Sequence, residues 1–198
     1  MEIGVLALQG DVKEHLTSIK NALKNLKLKG KCTAVRTKNK ILDVDALIIP
    51  GGESTTIGKL IKIYGLDSII ERIARNGVPI MGTCAGLVLL AREGDEEVNR
   101  IRQELLGLMS IKIRRNAFGR QRESFEVDLK IDVLGEEPYH CVFIRAPVIE
   151  RVWGRVNVLA EYKNRIVAAQ EDNLIALSFH PELSNDTRMH EYFIRMIK

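Results

Sequence analysis

The chain has 198 residues, of which 45% are hydrophobic and 28% charged, and a formal net charge of +4. Those proportions are ordinary for a globular fold, and the longest apolar runs are far too short to span a membrane. The basic excess is small and interleaved with acids, as in Glu71-Arg72 and Glu191 with Arg195, so neither a nucleic-acid nor a membrane partner is expected.

No Pro-, Ser- or Gly-rich linker divides the sequence, which predicts a single domain over residues 1–198. The three cysteines, Cys32, Cys84 and Cys141, are odd in number and lack CxxC spacing, against a disulfide framework or zinc cluster. The opening MEIGVLALQGD enters a strand-like run with no basic leader, so a reducing, cytoplasmic location is expected.

Residues 2–8 form a short apolar run that ends at Gln9-Gly10-Asp11, a buried strand followed by a turn. Val12, Leu16, Ile19, Leu23 and Leu26 then recur at helical spacing and predict an amphipathic helix. Residues 31–37 alternate as a second strand, and residues 45–50 are apolar without alternation, as in a parallel sheet covered on both faces. After Gly51-Gly52, Ser54, Thr55 and Thr56 offer caps for a helix over 57–64, and residues 67–76 supply another.

The run Val78-Pro79-Ile80-Met81 leads through Gly82-Thr83-Cys84-Ala85-Gly86 into Leu87-Val88-Leu89-Leu90. A cysteine between small residues, where a buried strand turns sharply into a helix, fits a nucleophile elbow. Packing as a small hydrophobe is the plainer alternative.

Residues 92–104 read as a charged surface connection, partly helical through Val98 and Ile101. Period-two patterns follow at 108–113 and 124–131, with further strands at 139–144, 157–162, 165–170 and 174–179. A helix over 184–198, capped by Ser184 or Asn185, closes the chain. The rhythm predicts an α/β fold: a central, mostly parallel sheet flanked by helices, with antiparallel strands added in the C-terminal half.

A cysteine nucleophile needs a base, and the base needs an orienting group. His15 and His190 lie on helices and read as packed side chains; His140 and Cys141 are strand neighbours that face opposite ways. His180 stands at the end of an apolar strand, followed by Pro181 and Glu182. In an extended segment, Glu182 would project to the same side and hold the imidazole.

Pro50-Gly51-Gly52-Glu53-Ser54 lies at a third strand end, where backbone N–H groups of Gly52 and of Ala85 would form an oxyanion hole. A phosphate loop is the competing reading of Gly52 to Gly58-Lys59. The spacing is one residue too long, and Leu60 stands where a magnesium-binding Ser or Thr is required.

With PGGEST, GTCAGL and SFHPEL in this order, the chain resembles the class I, triad-type glutamine amidotransferases. LALQGDVKEH at 6–15, RNAFGRQRESFE at 115–126 and VFIRAPVIE at 142–150 narrow the resemblance to glutaminase subunits of pyridoxal 5'-phosphate synthase. Other glutaminases of the class usually carry a glutamine four residues after the nucleophile; that position here is Val88.

The resemblance implies a triad of Cys84, His180 and Glu182, and an L-glutamine site formed by Gly52, Glu53, Ser54, Arg115, Ile144 and Arg145. It also implies a partner synthase subunit that receives ammonia, with no cofactor and no metal. Gln9, just after the first strand, is the candidate link between site and interface. The basic run 114–120 otherwise reads as a solvated loop; with a single Phe it has little stacking surface for nucleic acid. A glutaminase serving another synthase, or a redox or ligand sensor on the same fold, are the alternative functions.

Overall fold

The two apolar runs at the middle of the chain become β3 (Ala46–Ile49) and β4 (Ile80–Thr83), buried at every position. The computed structural model, which describes residues 1–115 and 124–198, pairs them in parallel with Ile48 opposite Met81. Leu47 and Ile49 face one apolar layer, shared with Ile57 and Ile61 of α3 (Ser54–Ile63) and Ile70 of α4 (Asp67–Arg75). Ala46 and Ile48 face the other, shared with Ile19 and Leu23 of α1 (Val12–Asn25) and Phe193 of α7 (Arg188–Arg195). Covering on both faces is why these strands do not alternate, and each large side chain so buried contributes about 1.5–3 kcal/mol.

Around this pair the sheet runs β2 (Lys31–Val35), β1 (Glu2–Leu6), β3, β4, β12 (Leu174–Leu177), all parallel. It continues antiparallel through β11 (Arg165–Glu171) and β9 (Val148–Val152) to β6 (Met109–Arg114), with β5 (Ala91–Gly94) parallel to β6 at the far edge. β10 (Asn157–Tyr162) pairs with β11, while β7 (Ser124–Leu129) and β8 (Tyr139–Ile144) form a separate antiparallel ribbon. The expected α/β architecture is therefore present. None of the described helices is long and apolar enough to cross a membrane.

Several local expectations are corrected. Residues 92–104 hold the partial helix expected around Val98, α6 (Glu96–Arg100), but they also contain the end of β5 and the buried Gln103, so they are more than a surface connection. β5 has the sequence AREG, so its strand form comes from pairing with β6 rather than from propensity. β9 and the one-turn α2 (Lys38–Leu42) were not signalled. Charged Glu150 and Arg151 break the apolar pattern of β9, and Ile41 is the single buried residue of α2.

The last helix starts at Arg188 rather than 184, because Pro181–Leu183 form a 3₁₀ turn and Thr187 takes the N-cap position. The cap of α3 is Glu53, ahead of the three hydroxyl residues; its carboxylate accepts from Thr55 N at 3.1 Å and Thr56 N at 2.6 Å.

Candidate active site

β1, β3, β4 and β12 are sheet neighbours pointing the same way, and their carboxyl ends meet beside the point where strand order reverses around β1. From these ends the chain delivers Gln9 and Asp11, the Gly51-Gly52 loop, Cys84 and His180. Four segments far apart in sequence thus converge on one cleft of about 340 Å³.

Cys84 has φ +47° and ψ −98°, between the last residue of β4 and the first of α5 (Ala85–Leu90). A side-chain-bearing residue in this region costs of order 1–3 kcal/mol, and the surrounding bonds hold it there. Its N–H donates to Leu177 O at 2.8 Å and its carbonyl accepts from Val88 N at 3.3 Å. Gly86 is required by close approach: a Cβ there would stand 2.1 Å from Ile49 O. This is the expected elbow, with the sulfur 3.9 Å from Ile144 O.

His180 donates its backbone N–H to Val142 O at 2.8 Å, and its Nδ1 meets Glu182 Oε1 at 2.7 Å. The expected pair is present, but its geometry comes from the 3₁₀ turn over Pro181–Leu183, not from an extended strand end. Burial alone would drive off the His180 proton. The side chains of Asp11, Cys84 and Glu182 outweigh it and raise the pKa well above the ordinary imidazole value. Burial also raises Glu182, against the opposing hydrogen bond from His180.

Asp11 was not singled out by the sequence, yet its Oδ2 stands 3.4 Å from the same Nδ1. The hydrogen bond to His180 holds Asp11 below the usual carboxylate range, and its own N–H donates to Gly51 O at 3.2 Å. The ligating atoms of Asp11, His180 and Glu182 lie within 4.8 Å of one another. One imidazole proton between two carboxylates accounts for that grouping without a metal.

The cleft is lined by every residue expected at the substrate site: Gly52, Glu53, Ser54, Arg115, Ile144 and Arg145. Ala85 and Gln9 line it as well, together with Val88 and Pro147, whereas Glu182 lies behind His180. Gly52 has φ +145°, and Gln9 Oε1 accepts from the next N–H, that of Glu53, at 2.7 Å. The Glu53 carboxylate occupies two N–H groups at the start of α3, where a phosphate loop would bind its anion, so the loop is no phosphate cradle. Arg115 Nη2 lies 3.6 Å from Glu53 Oε1. The remainder of the basic loop and most of RNAFGRQRESFE fall outside the described residues.

Two buttresses escaped sequence reasoning. Gln103 Oε1 accepts from Ser54 Oγ at 3.0 Å and Thr55 Oγ1 at 3.2 Å, while Nε2 donates to Ser54 O at 3.1 Å and Glu104 O at 2.9 Å. Asp95 caps α6 through Val98 N at 2.9 Å and accepts from Arg115 N at 3.2 Å. The charged stretch therefore fixes two walls of the cleft, and only long-range contacts reveal it. His140 stays outside the site as expected, paired with Asp128 at 2.8 Å and Glu126 at 3.0 Å on the β7–β8 ribbon.

An elbow cysteine beside a carboxylate-held histidine, at the strand ends of this sheet, defines the class: the fold is that of a glutamine amidotransferase. A crystal structure of a glutamine amidotransferase, 44% identical, superposes with a TM-score of 0.86 over 98% of both chains. PurLQS from Thermotoga maritima, 16% identical with a TM-score of 0.69, shares the fold alone.

The chain belongs to the SNO glutamine amidotransferase family, whose model matches residues 5–198. Among relatives, the pyridoxal 5'-phosphate synthase subunit PdxT of Archaeoglobus fulgidus is 50% identical over 99% of this chain and 98% of that protein. The subunit of the same name from Moorella thermoacetica is 50% identical over the full length of both.

Proposed function

We propose that this chain is the glutaminase subunit of a pyridoxal 5'-phosphate synthase, hydrolysing L-glutamine to L-glutamate and passing the ammonia to a synthase subunit. Family membership and 50% identity to pyridoxal 5'-phosphate synthase subunits support the reading. The single observation that carries the chemistry is the convergence of Cys84 and the Glu182-held His180 in one cleft.

In this reading the Cys84 thiolate attacks the glutamine side-chain amide carbon. The oxyanion is held by the N–H groups of Gly52 and Ala85. His180 gives its proton to the departing ammonia, then takes one from the water that cleaves the γ-glutamyl thioester. Glu182 keeps the imidazole oriented and stabilises its charged form. Arg115 and Arg145 supply cations for the substrate α-carboxylate, and Glu53, Ser54 and Ile144 form the remaining walls. Gln9, on the Glu53 N–H, links the glycine loop to the end of β1, where a docking synthase would reach it. A free thiol at Cys84 suits the reducing cytoplasm.

The test is glutamine hydrolysis with the synthase subunit present. Cys84→Ala is expected to abolish it while leaving the fold unchanged by circular dichroism; ammonia release at the parent rate would sink the assignment. A sensor module on this fold would need no base held by a carboxylate, and the His180–Glu182 bond at 2.7 Å disfavours it.

A further inference from the structure

Behind the proposed triad lies a second, wholly buried polar group that the chemistry above does not use. Glu182 presents Oε1 to His180, but among the described residues its Oε2 has no hydrogen bond of good geometry. The nitrogen facing that oxygen is His15 Nε2, 3.4 Å away, with both side chains fully buried. The same Nε2 lies 3.1 Å from the hydroxyl of Thr83, the residue immediately before Cys84. On the other side of the ring, His15 Nδ1 meets Nε2 of His190, on α7, at 3.3 Å. Among the described residues His190 Nδ1 has no partner.

Two tautomeric arrangements fit these distances. In one, His15 carries its proton on Nδ1 and donates to His190. A lone pair would then face the Glu182 carboxylate, and His190 would be left with a buried N–H that has no acceptor. In the other, His190 donates from Nε2 to His15 Nδ1, and His15 Nε2–H points to Thr83 and Glu182. The costs are then an unpaired ring lone pair on His190 Nδ1 and a long, 3.4 Å approach of the shared N–H to Glu182 Oε2. An orphaned buried donor and a lone pair set against a carboxylate are both expensive, so the second arrangement wins. Burial, reinforced by the charge of His180, holds His15 well below its ordinary pKa, and burial takes His190 down to about 4, so both rings are neutral.

We propose that His15 is a positioning residue of the glutaminase, whose Nε2–H ties the free oxygen of Glu182 to the Thr83 end of the nucleophile elbow, with His190 setting its tautomer. One rigid ring thereby couples the strand that carries Cys84 to the carboxylate that orients His180. Without it, the buried Glu182 Oε2 loses the N–H that faces it at 3.4 Å, and the carboxylate is free to turn away from His180. The inference rests on the assignment of Cys84, His180 and Glu182 made above.

The test compares His15→Gln with His15→Asn in the complex with the synthase subunit. A glutamine side chain places its amide nitrogen where Nε2 stands; an asparagine reaches only the position of Nδ1. Loss of the donor in His15→Asn is expected to lower kcat for glutamine hydrolysis about tenfold or more, with KM changed less than about twofold. His15→Gln is expected to recover kcat to within about threefold of the parent. Equal kcat in the two variants, or a loss confined to KM, would overturn the proposal.

Should both variants fail to fold, long-range ¹⁵N–¹H spectra of the parent imidazoles decide. A neutral Nε2–H ring at His15 supports the proposal, and an Nδ1–H ring or an imidazolium overturns it. Cys84→Ala run alongside separates the two levels. Hydrolysis surviving in Cys84→Ala sinks the triad itself, whereas a dead Cys84→Ala with a fully active His15→Asn sinks only the role of His15.

Discussion

Nδ1 of His180 is shared by two carboxylates, with Glu182 Oε1 at 2.7 Å and Asp11 Oδ2 at 3.4 Å. Glu182 comes from the turn that follows His180, and Asp11 from the start of α1, half-buried at the cleft wall. Together with Cys84 they overcome the burial that would otherwise strip the imidazole of its proton. Asp11→Asn removes one of the groups that raise His180, so the imidazolium gives up its proton at lower pH. The alkaline limb of kcat/KM for glutamine hydrolysis is expected to move down by roughly one unit or less, since the carboxylate is partly solvated. A pH profile with the limb unmoved, or moved upward, would count against this sharing.

The backbone at Cys84 makes an unusual stability prediction. An Ala-to-Gly change ordinarily destabilises, because it frees the unfolded chain. At φ +47° the order reverses, since glycine adopts that conformation at no steric cost. Cys84→Gly is expected to be more stable than Cys84→Ala by about 1 kcal/mol in urea unfolding. The opposite order would mean that the elbow is not strained.

Arg115 lies in the cleft with its guanidinium 3.6 Å from the Glu53 carboxylate. If it receives the substrate α-carboxylate, Arg115→Ala removes a charge-assisted hydrogen bond. KM for glutamine is then expected to rise roughly tenfold to a hundredfold, with kcat within about threefold. Steady-state kinetics that show an unchanged KM would place the carboxylate elsewhere, with Arg145 the remaining arginine among the described residues of the cleft.

Gln103 satisfies all of its hydrogen-bonding groups against Ser54, Thr55 and Glu104. Gln103→Leu leaves these partners without their donor or acceptor, at a cost of about 1–3 kcal/mol in urea unfolding. Because Ser54 lines the cleft, KM for glutamine is expected to rise in the same variant. Unaltered stability would show that the bridge from residue 103 to the glycine loop is dispensable.

Much of this site was readable from local pattern. The elbow could be read because a strand, a tight turn and a helix each leave their own mark around Cys84, and His180 because an apolar strand ends at it. The turn by which Glu182 reaches His180 is not legible in the same way. A proline at the first position of a 3₁₀ turn looks, in sequence, the same as a proline that stiffens an extended segment. Asp11 and Gln103 gave no signal of their own, since a carboxylate after a strand and an amide in a charged stretch are common on any surface.

His15 and His190 show where local reading stops. Their spacing placed each on a helix, and burial there was expected. The sequence by itself determined the α/β order, the covering of β3 and β4 on both faces, and the residue types at four strand ends, because each follows from hydrophobic period and turn chemistry within a few residues. Only the tertiary structure decided that β1, β3, β4 and β12 lie side by side. It also decided that residues 15, 83, 182 and 190 share one buried network. Such contacts depend on strand order and helix docking, which are settled by packing across the whole sheet and leave no periodic trace in the chain.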